Sequence, residues 1–365
     1  ALGADVLIIA PQALLPAAQE LASYRASQGL KTMVLDVQNI YDEMTGGLQN
    51  PHAIHDFLAY AHSYWNPAPR YVVLAGTGTL DYKNNMGLGG NLVPPLMIAT
   101  AYGLFASDNA FADIYGTGIP DTAIGRLPVR TNTDLHNLVQ KIEAYEAAPP
   151  DTWSSRAILV ADSAENFAND SSVIQGVVPP LHQAERIDLD SPPPAGARPT
   201  LLADLQSGVG LVNYIGHGGQ SQLSSTGLLL ASDAAGLTNG PRQPILTALS
   251  CTINRFELPG IPSLGSAFVA QPSGAAAAVW APSGLSISDA AKLLGQKFYL
   301  ELGRGQGTSP QRLGDVVQRT LRDFATAGGN PDVLRIYELL GDPALLVKPG
   351  ALPPSTIGGA SSSRE

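Results

Sequence analysis

The fold class of this chain is decided by the stretch ADVLIIAPQALLPAAQELASYRASQGLKTMVLDV (Ala4–Val37). It begins with a continuous apolar run that has the length of a strand, and LKTMVLDV (Leu30–Val37) at its end is predicted to be the next strand. Between the runs, Leu14, Ala18 and Leu21 recur at spacings of four and three residues and Gly29 follows, which is typical of a helix and its end. The stretch therefore predicts a strand, a helix and a second strand that is parallel to the first.

The same alternation continues through most of the chain. It predicts further helices over residues 51–65, 131–150 (capped by Thr131 or Thr133), 172–184 and 228–237, and further strands over residues 69–76, 121–130 (short or at an edge), 155–162 and 337–349, the last of which closes the sheet. Strands that are joined by helices are covered on both faces, so the sequence predicts an α/β protein with a mostly parallel sheet.

The pattern also predicts two subdomains. An N-terminal α/β subdomain covers residues 1–150, a second subdomain with the candidate chemistry covers residues 151–348, and residues 349–365 form a polar tail or linker. The boundary follows Pro149 and Pro150, which interrupt the pattern before it restarts.

Composition excludes several classes of function. The 365 residues include 21 Lys plus Arg and 31 Asp plus Glu, a net charge of −10, whereas non-specific nucleic-acid binding requires a basic surface. No apolar run reaches the roughly 18 residues of a membrane span. A single cysteine permits neither an intrachain disulfide nor a metal site of paired cysteines. We therefore expect no nucleic-acid partner and no membrane span.

Two predicted strands end in reactive side chains. The run LVNYIGHGG (Leu211–Gly219) leads to His217, and PILTALSC (Pro244–Cys251) leads to Cys251, 34 residues later. That separation suits two neighbouring parallel strands and a crossover helix, so the imidazole and the thiol would emerge on one rim of the sheet. A thiolate beside a histidine is a nucleophile, and the N–H groups of Gly218 and Cys251 can form an oxyanion hole. The alternative is that Cys251 is a small buried apolar residue.

Two carboxylates follow another predicted strand end on the same rim. Asp162 ends the run AILVAD, and Glu165 comes three residues later. Either could orient the imidazole of His217, and either could equally be a solvated loop residue.

These segments resemble the gingipain family of cysteine peptidases, which belongs to the wider caspase-like group. Besides NYIGHGG and PILTALSC, the resemblance rests on YRASQGLKTMVLDVQNIYDE, GLQNPHAIHDFLAYA, YVVLAGTGTLDY, SDNAFAD with PDTAIGRLPVRT, and YELLGDPALLV, in an order that covers most of residues 4–348. The resemblance implies a caspase-like α/β/α sandwich with mostly parallel sheets and two subdomains, the second of which contains the catalytic residues.

The resemblance also implies a cysteine endopeptidase that hydrolyses proteins or peptides through a thioester acyl-enzyme. Cys251 would be the nucleophile, His217 the general acid and base, and the N–H groups of Gly218 and Cys251 the oxyanion hole. Glu165 best matches the acidic helper of the family, with Asp162 as the near alternative. The chemistry requires no cofactor. The family also implies an extracellular or cell-surface location and a propeptide or trailing domain in a longer precursor.

The sequence departs from the family in the predicted substrate pocket. Arg-specific members have an aspartate at the base of this pocket, whereas the loop NFANDSSVIQ has Ser172 there and Asp170 two residues away. The segment AAVWAPSGLS, which ends at Ser286, matches the segment that lines the other wall in the family, and it contains Pro282 and small residues here. We expect Asp170, Ser172 and Ser286 to contact the substrate in a narrower or more apolar pocket.

Structural calcium is another property that the resemblance implies. Asp81, Asp108, Asp113 and Asp121 lie in oxygen-rich loops that could supply ligands, although the spacing of an EF-hand is absent.

Two other functions stay open at this point. A sortase-like transpeptidase of a bacterial secretion system would use the same dyad to transfer a cargo to an amine. A catalytically silent caspase-like binding module is suggested by Gly76–Thr77, where the family usually has Gly-Asp.

Overall fold

The computed structural model describes residues 2–163, 165–189, 196–304 and 310–350. The strands are β1 (Val6–Ala10), β2 (Thr32–Asp36), β3 (Tyr71–Ala75), β4 (Met97–Thr100), β5 (Gly103–Ala106), β6 (Ala123–Leu127), β7 (Arg156–Ala161), β8 (Gln183–Asp188), β9 (Leu211–Ile215), β10 (Gly218–Gly219), β11 (Gln222–Leu223), β12 (Leu229–Leu230), β13 (Ile245–Leu249), β14 (Ala278–Pro282) and β15 (Tyr337–Leu340). Residues 351–365 of the predicted tail lie outside the described residues.

The helices alternate with these strands along the chain. They are α1 (Leu15–Ser27), α2 (Val37–Thr45), α3 (Pro51–Tyr64), α4 (Asn132–Ala147), α5 (Thr152–Ser155), α6 (Phe167–Gln175), α7 (Ala197–Ser207), α8 (Leu264–Ala270), α9 (Ser288–Arg304), α10 (Leu313–Thr326) and α11 (Pro331–Ile336), with 3-10 helices at Gln12–Leu14, Asn109–Phe111 and Ala231–Gly236. In the part of the chain that the structure describes, no helix combines the length and the apolar character that crossing a bilayer requires.

Ten strands form one sheet in the order β2-β1-β3-β6-β15-β14-β13-β9-β7-β8. The first five strands of this order are parallel to one another, and so are the last five. The two sets meet where β15 pairs antiparallel with β14. The predicted α/β architecture with a mostly parallel sheet is confirmed. The division at residue 150 stays a prediction, and β15, which comes from 151–348, joins the two sets of strands.

Helices cover both faces of the sheet. Val6 and Ile8 of β1 enter the core that contains the buried side chains of α1 and α4, whereas Leu7 and Ile9 enter the core that contains those of α2 and α3. Successive side chains of a strand point to opposite faces, so a strand covered on both faces must be apolar throughout. This explains the unbroken apolar run of β1.

Helix α4 begins at the first of its two candidate caps. The side chain of Thr131 accepts a hydrogen bond from the N–H of Asp134, and the Asp134 carboxylate accepts one from the N–H of Thr131. Such a capping box satisfies two N–H groups that a helix start would otherwise leave without partners.

Two predicted helices are wrong. The helix expected over residues 172–184 begins earlier, at Phe167, and ends at Gln175, after which the chain forms β8. Pro179 and Pro180 explain why the helix does not continue to residue 184, because proline lacks the N–H that a continuing helix needs. The helix expected over residues 228–237 is β12 followed by a short 3-10 helix, because an apolar run of this length does not separate strand from helix by its period.

Two predicted strands lie in the centre of the sheet rather than at its edge. β6 lies between β3 and β15, and β15 lies between β6 and β14, so the strand expected to close the sheet instead connects its two sets. The edges are β2 and β8.

The centre of the sheet contains a buried arginine with a complete set of partners. Nε and Nη2 of Arg126 each donate to a carboxylate oxygen of Asp108 at 2.7 Å, and Nη1 donates to the carbonyl oxygens of Gly76 and Val93 at 2.8 Å. The guanidinium also lies 4.6 Å from the ring centre of Phe256. This one side chain therefore ties β6 to the loops that follow β3 and β5.

A second buried arginine connects two helices to the end of β15. Nη1 of Arg25 in α1 donates to Glu146 in α4 at 2.8 Å, and its Nη2 donates to Asp342 at 2.7 Å. Fixing the loop after β15 in this way holds that strand in the middle of the sheet.

We predict that Arg126→Met lowers the free energy of unfolding by about 3–5 kcal/mol, because the buried Asp108 carboxylate loses its partner. The matched control is Arg70→Met. Arg70 pairs with Asp315 at 2.7 Å, but its side chain is 60% exposed, so the expected loss is about 0–1 kcal/mol. Urea denaturation of both variants measures the difference. Equal losses would contradict the importance assigned to the buried pair.

Candidate functional site

The two reactive residues follow neighbouring strands in matching positions. β9 and β13 pair in parallel with Ile215 opposite Leu249, and His217 and Cys251 each come two residues after that pair. Cys251 is partly exposed, and the His217 side chain is 56% exposed. The thiol is therefore accessible at the rim of the sheet and is not sealed in the core.

Glycines bring the loop after β9 close to the turn that carries Cys251. A Cβ atom at Gly218 would lie 2.4 Å from Oγ of Ser250 and 3.2 Å from the carbonyl oxygen of Cys251. A Cβ atom at Gly216 would lie 2.3 Å from Cβ of Asp162. Only glycine fits at these two positions, which flank His217 and allow its backbone to approach both neighbours.

Asp162 fixes the backbone of the histidine loop. Its Oδ2 accepts the N–H of His217 at 3.2 Å and lies 2.9 Å from the Tyr214 hydroxyl, and its Oδ1 accepts the N–H of Ser163 at 2.8 Å and the Ser224 hydroxyl at 3.0 Å. Burial and the Asp162 carboxylate raise the pKa of Tyr214, so its hydroxyl remains protonated. Asp162 therefore contacts the main chain of His217 and not its ring.

Glu165 contacts the imidazole itself. Its Oε1 lies 3.6 Å from Nε2 of His217, and its Oε2 accepts a hydrogen bond from the Ser288 hydroxyl at 3.0 Å. The rings of Phe167 and His217 pack edge to face, with 5.4 Å between their centres. The two carboxylates that the sequence left as alternatives thus have separate tasks.

The thiol of Cys251 lies against the peptide group of Ser286. The N–H of Ser286 donates to Sγ at 3.4 Å, and Sγ lies 3.7 Å from the Ser286 carbonyl oxygen. Burial raises the pKa of Cys251 above its ordinary value, the Ser286 N–H opposes that rise, and the Glu165 charge adds to it. The resting side chain is therefore a neutral thiol that has one donor ready for the thiolate.

The predicted substrate-contacting residues have different surroundings. Ser286 touches the thiol through its backbone. Asp170 is buried in α6 and pairs with Nζ of Lys292 at 3.0 Å, and hydrogen bonds to Asp289 and Asp170 raise the pKa of that lysine. The Ser172 hydroxyl accepts a hydrogen bond from Arg186. The segment around Asp170 is helix α6 rather than the expected loop, and contact of these three residues with substrate stays a prediction.

The carboxylates of the four aspartates considered as calcium ligands accept hydrogen bonds from other groups of the protein. Asp108 is paired with Arg126, and the carboxylates of Asp81, Asp113 and Asp121 accept hydrogen bonds from backbone N–H groups in their own loops. Among the described residues, no group of three or more His, Cys, Asp or Glu side chains is assembled around a common point. Structural calcium at these loops stays a prediction of the resemblance.

Sequence reasoning did not anticipate the Ser288 hydroxyl or the contact of the Ser286 peptide with the thiol. Ser286 precedes α9 and Ser288 begins it, about 35 residues after Cys251. One signal for it is present in the sequence: the apolar segment that ends near Pro282 is soon followed by SDAAKLLGQKFYLELG (Ser288–Gly303), a pattern typical of a helix. That places a helix start at a strand end, where sites of parallel sheets form.

Comparison with known proteins identifies the family of the chain. The model of Peptidase family C25 matches residues 1–348. Gingipain R2 and gingipain R1 of Porphyromonas gingivalis are each 22% identical over 354 residues, which cover 90% of this chain but 44% and 33% of those proteins. The chain therefore spans less than half the length of these curated relatives.

Solved structures extend the comparison to the fold. The Arg specific cysteine proteinase gingipain R (RgpB) matches with a TM-score of 0.78 at 18% identity, over 94% of this chain and 78% of that one. A complex of Porphyromonas gingivalis RgpB pro- and mature domains matches with a TM-score of 0.76 at 18% identity, over 94% and 79%. The caspase-like α/β fold expected from the sequence is thereby confirmed, and the family match over residues 1–348 shows that the chain belongs to Peptidase family C25, the gingipain-type cysteine peptidases.

Proposed function

We propose that this chain is a cysteine endopeptidase in which Cys251 and His217 form the catalytic dyad. The observation that carries the proposal is the parallel pairing of β9 with β13, which places His217 and Cys251 at matching positions after neighbouring strands. In addition, Oε1 of Glu165 lies 3.6 Å from Nε2 of His217. A partly exposed thiol beside a histidine with an acidic partner suits nucleophilic catalysis.

In the acylation step, the thiol attacks the carbonyl carbon of the scissile peptide bond while its proton passes to His217. The resulting oxyanion accepts hydrogen bonds from the N–H groups of Gly218 and Cys251. Among the described residues, no backbone carbonyl outside the helices and strands accepts the Cys251 N–H, which supports its use as a donor. Collapse of the intermediate breaks the C–N bond, and His217 returns the proton to the leaving amine.

In the deacylation step, His217 removes a proton from water as the water attacks the thioester. The second tetrahedral intermediate expels the Cys251 thiolate, which recovers its proton from His217. Glu165 stabilises the imidazolium that forms in each half-reaction. Because burial disfavours the thiolate, we propose that proton transfer to His217 accompanies the attack.

The partners that we propose are proteins or peptides as substrates, together with a pro-domain or trailing domain in a longer precursor. The second point is supported by the matching solved complex of RgpB pro- and mature domains. We also propose a site of action outside the cytoplasm, on the resemblance to the gingipains alone.

We predict that Cys251→Ala abolishes peptide hydrolysis and that His217→Ala lowers kcat/KM by at least about 10³-fold. Cleavage of a positional peptide library, followed by mass spectrometry, measures both effects. The matched control is His136→Ala, because His136 pairs with Glu20 on α1, outside the site. Thermal melting of His217→Ala should be unchanged, since its ring is largely exposed.

Two outcomes would contradict this assignment. Hydrolysis by Cys251→Ala at the wild-type rate would exclude the thiol as nucleophile. A product extended by an added amine in place of water would indicate transfer rather than hydrolysis.

We further predict that alkylation of Cys251 by iodoacetamide in the folded chain still accelerates above about pH 8.5, the ordinary cysteine pKa. Burial disfavours the thiolate, so its fraction at neutral pH is below that of an exposed cysteine and grows as the pH rises. The urea-unfolded chain is the control, since it has the same single cysteine without burial. A rate that is already constant at pH 7 would contradict the prediction.

A further inference from the structure

The amino end of α9 faces the candidate site at two points. The N–H of Ser286, two residues before the helix, donates to Sγ of Cys251 at 3.4 Å, and the hydroxyl of Ser288, the first residue of the helix, donates to Oε2 of Glu165 at 3.0 Å. Both groups that are negative during the proposed reaction therefore meet the positive end of a 17-residue helix.

Apart from the Ser288 hydroxyl, the contact that positions the Glu165 carboxylate is its weak ion pair with His217. The Glu165 side chain is 50% exposed, and exposed ion pairs contribute little because fixing two mobile side chains costs entropy. Its backbone φ is 52°, a left-handed conformation that a residue with a side chain seldom adopts. A carboxylate in such a loop needs a second anchor if it is to stay beside His217.

Helix α9 is suited to be that anchor. Leu294 and Phe298 on its inner face are completely buried, and Phe298 stacks on Trp280 of β14 with 4.9 Å between ring centres. One turn after Ser288, Lys292 pairs with the buried Asp170 of α6 at 3.0 Å. Two successive turns of α9 thus hold the segment that runs from Glu165 into α6.

We propose that Ser288 is a positioning residue, which acts through Glu165 to orient the imidazole of His217. The Ser288 hydroxyl holds one carboxylate oxygen, so that the other faces Nε2 of the ring and the second ring nitrogen remains free for proton transfer. This inference rests on the proposed function for its effect on turnover, but the contact with His217 can be tested without turnover.

The first test is a spectroscopic double-mutant cycle on the full chain. The variants are Ser288→Ala, Glu165→Gln and the double variant, and the signal is the ring-nitrogen resonances of His217 in protein labelled with 15N-histidine, assigned with His217→Ala. We expect Ser288→Ala to shift these resonances in the wild-type background and to leave them unchanged in the Glu165→Gln background.

Two variants separate positioning from general stability. Ser288→Thr keeps the hydroxyl and should restore the wild-type resonances. Thr131→Ala removes a helix-start hydroxyl of α4 whose partner is Asp134, so it should lower the melting temperature without changing the His217 signals. Unchanged His217 resonances in Ser288→Ala, or equal shifts with and without Glu165, would overturn the inference.

The second test is turnover of a peptide that the wild-type chain cleaves. Ser288→Ala should lower kcat by about 5-fold with KM unchanged, the size expected for a hydrogen bond to a partly exposed charged group, and Ser288→Thr should recover most of it. If the wild type cleaves no peptide while the resonance cycle shows coupling, the proposed function fails and the positioning role survives. If hydrolysis occurs and Ser288→Ala matches wild type in both tests, the positioning role fails alone.

Discussion

The geometry of the site depends on one buried carboxylate, that of Asp162. Burying an ionised group costs several kcal/mol unless donors surround it, and the donors here come from the main chain of Ser163 and His217 and from the hydroxyls of Tyr214 and Ser224. Each hydrogen bond to a charged group is worth about 1.5–3 kcal/mol. This set offsets the cost of burial and, because the donors come from the end of β7, from β9 and from the chain after β9, it fixes the loop that contains the imidazole.

The surroundings of Cys251 have opposing effects on the pKa of its thiol. Burial and the Glu165 charge disfavour the thiolate, and the Ser286 N–H favours it. Glu165 thus lies near both reactive side chains, 3.6 Å from Nε2 of His217 and close enough to raise the pKa of the Cys251 thiol. In the proposed reaction its charge would disfavour the thiolate and stabilise an imidazolium at His217.

The strand ends that contain His217 and Cys251 were predictable because a parallel sheet joined by short crossovers leaves few alternatives for two apolar runs 34 residues apart. The separate tasks of Asp162 and Glu165 were not predictable. Both follow the same strand, and only the direction of each side chain distinguishes the main-chain partner from the ring partner. Helix α6 was misplaced for a related reason, since tertiary contacts of Phe167 and Asp170 extend it beyond its local signals.

The sequence by itself determined the alternation of strands and helices, the parallel pairing that follows from it, and the two reactive residues at neighbouring strand ends, because these depend on local periodicity and short connections. Only the tertiary structure decided that β15 enters the middle of the sheet, that Arg126 neutralises Asp108, and that the start of α9 reaches Cys251 and Glu165. These contacts join residues that are distant along the chain, and their formation depends on the packing of the whole sheet, which no local pattern of residues encodes.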